Sequence, residues 1–340
     1  MSRYVPSLEL VERAATGEPQ AIGRLISRAE AAVPEARQAL AAIYRRAGKA
    51  HVIGLTGVPG SGKSTLVAAL TGWFRKQGKT VGIVAVDPSS PYSGGSILGD
   101  RIRMSDHASD AGVYIRSMAT RGAMGGLARA TLEAVDVLDL GGFDTIIIET
   151  VGVGQDEVEI ARASHTTVVV SAPGLGDEIQ AIKAGMLEIA DIHVVSKCDR
   201  SDANRTIVDL KQMLTLGTMN AAKSEWSTPV IGVSSYNGEG FETLIEAIGK
   251  HREIAFGSAR GRRRQLSIAQ FRLQKTAENL LIERFFNASD PHAPALAERL
   301  QQRAGDPYTL ANDLLAISFE KGLHHDRQQS TRDVIAEDHW

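Results

Sequence analysis

The stretch "GLTGVPGSGKST", from Gly54 to Thr65, decides the fold. It contains the spacing Gly57-x-x-x-x-Gly62-Lys63-Ser64 of a phosphate-binding loop. A β-like run precedes it and an apolar helical stretch, Leu66–Phe74, follows it, which is the context in which the motif cradles phosphates. The motif predicts a nucleotide site formed by Gly57, Val58, Pro59, Gly60, Ser61, Gly62, Lys63, Ser64 and Thr65.

The residues after position 50 predict an α/β fold. Short apolar, β-branched runs alternate with stretches long enough for crossover helices, which is typical of a mostly parallel sheet covered on both faces. Such a sheet around a phosphate loop indicates a P-loop NTPase, with its ligand at the carboxyl ends of the strands. The runs are His51–Leu55, Thr80–Val86, Val113–Ser117, Thr145–Glu149, Thr166–Ser171, Ile192–Ser196 and Val230–Val233.

Helical extensions are expected at both ends of this sheet. Residues 7–47 show apolar residues at helical spacing, for example Leu8, Val11 and Ala15, and Pro34 is expected in the first turn of a third helix. After residue 256 the strands stop, and "GSARGRRRQ" reads as a basic, flexible hinge before a long helix. The predicted parts are an N-terminal helical segment, a nucleotide-binding domain and a C-terminal arm with tail, at residues 1–48, 49–256 and 257–340.

Leucines on the long C-terminal helix recur every seven residues, at Leu266, Leu273 and Leu280, with Ala269, Ala277 and Leu281 beside them. This apolar stripe leaves two interpretations open, which are docking onto the chain's own core and a dimer interface.

Composition limits the classes of partner. The formal net charge is -2, so there is no general reason to expect nucleic-acid or membrane binding. The single cysteine, Cys198, fits a reducing compartment. Glu9 and Glu12 stand where an export signal is apolar, and no apolar run approaches the roughly 18 residues that span a bilayer. We therefore expect a cytoplasmic protein.

The phosphate loop requires a magnesium site beside it. Lys63 is expected to reach the β- and γ-phosphates, and the Ser64 hydroxyl is expected to bind Mg²⁺. The ion also takes carboxylates, directly or through water. Because a carboxylate that ends a buried strand is costly without a partner, the candidates are Asp87, Asp100 and Glu149, of which Asp100 is the weakest from spacing alone.

The stretch "ETVGVGQDE", Glu149 to Glu157, reads as a switch. Gly152 is placed to donate its N–H to the γ-phosphate, and loss of that phosphate would release the loop. Gln155 and Glu157 are close enough in sequence to orient an attacking water, although either also fits a solvent-facing helix residue.

A second motif indicates which base is bound. In "SKCD", Ser196 to Asp199, Lys197 and Asp199 fit the x-Lys-x-Asp element of GTP-binding proteins. The aspartate accepts hydrogen bonds from N1–H and the 2-amino group of guanine, a donor pair that adenine lacks. Ser196 stands where that element usually has asparagine. A later stretch, "VSSYNG", is placed as the last base-binding loop, with Ser235, Tyr236 and Asn237 as its candidate residues.

Three long stretches together resemble the MeaB/ArgK group of metallochaperone-class GTPases. They are "DPSSPYSGGSILGDRIRM" (Asp87–Met104), "ETVGVGQDE" and "SAPGLGDEIQAIKAGMLEIAD" (Ser171–Asp191). The resemblance covers roughly residues 8–290. It implies a GTPase, with Mg²⁺ and GTP or GDP as ligands, that assists an adenosylcobalamin-dependent acyl-CoA mutase by gating cofactor loading and protecting or reactivating the enzyme.

The resemblance also assigns roles that the pattern alone does not. It implies a homodimer formed through the C-terminal helices and raises Asp100 to a magnesium-site residue. It marks Gly174–Lys183 as a third switch, with Lys183 as a candidate for stimulating hydrolysis. The expected catalytic residues are thus Lys63, Glu149, Gln155 and Lys183.

Three other functions remain open for this sequence. A kinase or ATPase linked to amino-acid transport, an older label for the ArgK branch, needs adenine binding, against which Asp199 argues. A nickel- or zinc-insertion GTPase needs clustered Cys or His ligands, whereas the sole cysteine lies in a base loop and His324-His325 is the one adjacent histidine pair. A nucleotide-binding scaffold without catalysis is the third.

Overall fold

A parallel sheet forms the centre of the molecule. The computed structural model describes residues 4–87, 109–119, 126–150, 156–174, 184–218, 225–286 and 293–316. Seven strands pair in the order β3-β2-β4-β1-β5-β6-β7, and every pairing is parallel. The strands are β1 (His51–Gly57), β2 (Val81–Asp87), β3 (Val113–Ala119), β4 (Thr145–Thr150), β5 (Thr166–Ser171), β6 (Ile192–Val195) and β7 (Val230–Gly232).

Helices connect the strands and extend the chain at both ends. Three precede the sheet, namely α1 (Ser7–Ala15), α2 (Pro19–Glu30) and α3 (Ala36–Tyr44). Those within it are α4 (Lys63–Lys76), α5 (Gly126–Leu140), α6 (Asp156–Ala163), α7 (Ala184–Ile189) and α8 (Ala203–Thr218). Those after it are α9 (Phe241–Gly257), α10 (Ala259–Phe286), α11 (Ala293–Gln301) and α12, which spans residues 307–316.

The sheet is covered on both faces, as the sequence predicts. Successive residues of β4 enter different cores: Ile146 and Ile148 pack with the N-terminal helices and α5, whereas Ile147 packs with α4 and α9. This follows from the alternation of side chains along a strand. Both faces of the central strands are buried. β4 and β5 therefore carry β-branched apolar residues on both faces and have no solvent-exposed polar face.

The N-terminal helices share the core of the sheet. Leu10, Leu25 and Ile26 are fully buried there. On α1 the buried stripe differs from the predicted one, because Leu8 is 51% exposed whereas Ser7 is buried. Ser7 is accommodated because Glu35 accepts hydrogen bonds from both its backbone N–H and its hydroxyl, each at 2.6 Å.

The predicted hinge is wrong. Helix α9 ends at Gly257 and α10 begins at Ala259, so only Ser258 separates them. Arg264 is not a solvated hinge residue, because its guanidinium donates to the carbonyls of Ser164 and Ala161. Arg260 also lies 3.6 Å from the buried Asp191. These partners hold the basic stretch in helical form against the sheet.

The chain divides into two compact units, Met1–Leu273 and Gln274–Trp340. The first contains the sheet, and the second contains the last part of α10 together with α11 and α12. The boundaries predicted at residues 48 and 256 stay predictions. Within the described residues, we find no helix whose length and apolar character would let it cross a membrane.

Candidate functional site

The phosphate loop lies at the carboxyl edge of the sheet, between β1 and the start of α4. Gly57, Gly60 and Gly62 have φ angles of 145°, 78° and 86°, which side-chain-bearing residues rarely adopt. A Cβ on Gly57 would also lie 2.1 Å from the carbonyl oxygen of Val170 on β5. The loop therefore needs its glycines, and it delivers the chain directly into the N-terminus of α4, where unpaired N–H groups favour anions.

Lys63 is buried at the mouth of this loop. Its Nζ donates to the carbonyl oxygens of Gly57 and Val58, each at 2.8 Å. The loop thus curls around an ammonium group, which places a positive charge where the motif predicts phosphate.

An oxygen-donor pair lies beside the lysine. The Ser64 hydroxyl donates to Oε1 of Glu149 at 2.6 Å, and Glu149 is buried near the end of β4. Asp87 ends the neighbouring strand β2, which pairs in register with β4 through Ala85 and Glu149. Hydroxyl and carboxylate oxygens at one sheet edge are the donor set that Mg²⁺ takes, so the residues present fit the ion.

A pocket of about 380 Å³ opens next to the loop. Lys197 and Asp199, from the x-Lys-x-Asp element, both line it. Lys197 has a left-handed backbone (φ 54°), and its Nζ donates to the Gly60 carbonyl at 3.2 Å. The full lining is Gly62, Thr65, Ser196, Lys197, Asp199, Ser234, Ser235 and Tyr236. The two predicted half-sites, for phosphate and for base, therefore meet at Gly62.

Part of the loop that is predicted to bind the base also lines this pocket. Ser235 and Tyr236 line the pocket. Asn237 does not, because its Oδ1 accepts the backbone N–H of Glu239 at 3.0 Å and closes a local turn. Ser234, which sequence reasoning missed, lines the pocket instead. Its position directly before the predicted loop residues was the available signal.

Sequence reasoning also missed a contact of Ser196. The Ser196 hydroxyl donates to the carbonyl oxygen of Ser61 at 2.6 Å, and the Ser196 N–H donates to the carbonyl oxygen of Ser171 at 2.8 Å. The unusual residue of the base motif thus contacts the phosphate loop.

Cys198 occupies the variable position of the motif. Burial, followed by the nearby carboxylates of Glu239 and Asp199, raises the pKa of its thiol. A thiol that stays protonated is a poor nucleophile, which fits a structural residue. Four predicted residues, Asp100, Gly152, Gln155 and Lys183, lie outside the described residues.

Comparison with known proteins gives the family. The model of a family described as methylmalonyl-CoA mutase-associated GTPase MeaB matches residues 22–290. A protein of Pyrococcus abyssi, named as a GTPase, is 42% identical over 317 residues, which are 93% of this chain and 98% of that protein. The GTPase ArgK of Escherichia coli is 33% identical, over 82% of this chain and 86% of its own length.

One further relative is similar in sequence, and one solved structure is similar in fold. The mitochondrial methylmalonic aciduria type A homologue of Mus musculus is 38% identical over 62% of this chain and 52% of that protein. A crystal structure described as a LAO/AO transport system kinase covers 93% of this chain and 99% of its own, with a TM-score of 0.68. At 23% identity this likeness shows the fold alone.

Proposed function

The chain belongs to the family of methylmalonyl-CoA mutase-associated GTPases, and from that premise we propose that it assists an adenosylcobalamin-dependent acyl-CoA mutase. The partner is methylmalonyl-CoA mutase or a related enzyme. GTP binding and hydrolysis would gate loading of the cofactor and protect or reactivate the mutase. The chain itself is a GTP hydrolase, as its relatives are named.

The meeting of the two half-sites at Gly62 supports the GTP-binding part of this proposal. In the proposed complex with GTP, Asp199 accepts the N1–H and 2-amino hydrogens of guanine. Lys63 exchanges its carbonyl partners for phosphate oxygens. Ser64, Asp87, Asp100 and Glu149 would hold Mg²⁺, which supplies charge neutralisation to the phosphates when bound. Gln155 and Lys183 remain candidates for orienting water and stimulating hydrolysis.

The family description and the name of the mouse homologue support a mutase partner over the alternatives. A kinase linked to amino-acid transport would transfer the γ-phosphate to a protein, and it gains only a fold-level likeness. A nickel- or zinc-insertion role gains nothing from Cys198, which is partly buried in the base motif.

We also propose a homodimer formed through α10. Leu266, Leu273 and Leu280 are 60%, 73% and 41% exposed. Other positions in the first half of α10 hold the helix to the rest of the chain: Phe271 is buried, and Arg272 is bonded to Asp136 of α5. Because α10 is already held to its own chain by Phe271 and Arg272 and still presents leucines to solvent, the leucine stripe fits a second copy better than self-docking.

The test uses γ-labelled GTP, this protein and purified methylmalonyl-CoA mutase with its cofactor. We expect the mutase to accelerate phosphate release saturably, because the partner completes the hydrolytic site. The nucleotide-blind control Lys63→Ala should show no acceleration. Label transferred to protein would favour the kinase alternative, and an unchanged rate with every adenosylcobalamin-dependent acyl-CoA mutase tested would reject the mutase role.

A further inference from the structure

Ser196 occupies the first position of the base motif but contacts the phosphate loop. Its side chain is 5% exposed, and its hydroxyl donates to the Ser61 carbonyl at 2.6 Å. We infer that Ser196 is a positioning residue for the Gly62 amide of the phosphate loop and does not read the guanine base. This inference rests on the nucleotide site proposed above and does not depend on the mutase partner.

The geometry of one peptide bond connects Ser196 to the phosphate. The carbonyl of Ser61 and the N–H of Gly62 belong to the same planar, trans peptide, so they point in opposite directions. A hydrogen bond that fixes the carbonyl toward Ser196 therefore fixes the N–H away from it. Gly62 is the N-cap of α4, with φ 86°, where the N–H groups of a phosphate loop meet the anion.

Lys197, the next residue of the base motif, also donates a hydrogen bond to a carbonyl of the phosphate loop. Lys197 donates to the Gly60 carbonyl at 3.2 Å, so two successive residues of the base motif bind two successive carbonyls of the phosphate loop. The anchor on the other side is the sheet, because the Ser196 N–H is bonded to Ser171 at the end of β5. The phosphate loop is thereby held to β5 through Ser196.

The chemistry of a hydroxyl excludes a second role as base donor in this arrangement. A serine has one O–H hydrogen, and Ser196 donates it to Ser61. The N7 and O6 atoms of guanine are both acceptors, so they need a donor. With its hydrogen committed, Ser196 offers that edge of the base none, and selection for guanine depends on other pocket residues, Asp199 foremost.

The experiment separates phosphate positioning from base reading by changing the ligand. Affinities of GDP, 7-deaza-GDP and guanosine are measured by competition with a fluorescent GDP analogue, for the natural protein, Ser196→Ala and Ser196→Cys. We expect Ser196→Ala to weaken GDP about 3- to 10-fold, the effect of one hydrogen bond, and 7-deaza-GDP by the same factor. Guanosine, which has no phosphate, should bind unchanged. The cysteine variant, a weak donor, should lie between and serves if the alanine variant does not fold.

Three results would overturn the inference. They are an unchanged GDP affinity, an equal loss for guanosine, and a loss for GDP that disappears with 7-deaza-GDP, which would make Ser196 a reader of N7. Asp199→Asn is the control for the site itself, because it should weaken guanosine and GDP alike. If that control changes neither ligand, the proposed base pocket fails rather than the role of Ser196.

Discussion

Asp199 lies in the wall of the base pocket, with its side chain exposed beside Lys197. We expect a carboxylate there to pair with N1–H and the 2-amino group of guanine, whereas adenine, whose N1 is an acceptor and whose C2 has no amino group, would leave it unpaired. Asp202 offers a useful contrast, because it is a nearby carboxylate that does not line the pocket and is bonded to Arg200 at 3.0 and 3.1 Å. We therefore expect base selectivity to depend on the Asp199 side chain and not on the local charge.

Replacing Asp199 with asparagine should weaken GTP binding about 10- to 100-fold, since hydrogen bonds to a charged group are lost. Binding of XTP should improve, because the 2-oxo group of xanthine accepts from the new amide. Titration with both nucleotides measures the change. Asp202→Asn should leave both affinities unaltered, and a GTP affinity that survives Asp199→Asn would show that another group reads the base.

Residues whose role is set by their local backbone were predictable, and those set by distant partners were not. Gly57 and Gly62 follow from the loop spacing alone. Ser196 looked like a weakened base reader, because the sequence does not show that the Ser61 carbonyl lies within reach of its hydroxyl. The sequence predicts Asn237 as a residue of the base-binding loop, but the hydrogen bond from the Glu239 N–H to its side chain cannot be read from the pattern.

At the scale of elements, buried ionisable groups make the sheet and its helices sensitive to pH. His193 on β6 is fully buried, and burial lowers its pKa to about 4. His51 at the start of β1 is buried as well, and burial, with nearby positive groups, lowers its pKa well below the ordinary value. On α5 the sign is opposite. Glu133 and Asp136 are partly buried, and desolvation outweighs their paired arginines, so it raises the pKa of Glu133 to about 7 and also raises that of Asp136.

We expect the free energy of unfolding to depend on His193 between pH 6.5 and about 4. In that window the unfolded chain binds the proton and the folded chain does not, so the contribution is complete above pH 6.5 and is lost as the pH falls. His193→Leu should therefore flatten the pH dependence, by up to about 1.4 kcal/mol per pH unit. Urea unfolding at several pH values measures it.

Glu133→Gln is the matched variant of opposite sign. The folded-state pKa of Glu133 lies above its unfolded value, so its contribution is complete below pH 4.5 and is lost as the pH rises through about 7. Removing it should steepen the rise of stability with pH that the histidines produce. Parallel pH profiles for the natural protein and both variants would contradict the burial-based explanation.

The same scale shows what element prediction achieves. The predicted strand boundaries agree with the observed ones to within two residues. The strands of a sheet that is covered on both faces are continuous β-branched apolar runs, which are easy to recognise in the sequence. The sequence predicts a hinge around Arg264, because charged residues and glycine are typical of solvent-exposed segments. Its helical form depends on carbonyls about 100 residues earlier in the chain, which no local pattern contains.

For the whole molecule, the sequence predicted the leucine stripe but left its partner open, because periodicity gives the apolar face of a helix and not what covers it. The exposures of Leu266 and Leu273 now favour a second copy of the chain. In a symmetric dimer each side chain of the stripe lies near its counterpart or a neighbour on the partner helix. One charged substitution in the stripe would therefore bury two charges in the interface, one from each protomer.

Leu273→Glu should therefore weaken the dimer by about 100-fold or more, because two unpaired carboxylates would be removed from water. Sedimentation velocity across the micromolar range measures the shift from dimer to monomer. Leu8→Glu is the control, since it makes the same change on α1, at a leucine that is 51% exposed and outside the stripe. Basal GTP hydrolysis, measured on both variants, verifies that the nucleotide site is intact. If the natural protein sediments as a monomer throughout, or Leu273→Glu as an unaltered dimer, α10 does not form the interface, and the exposed leucines face some other partner.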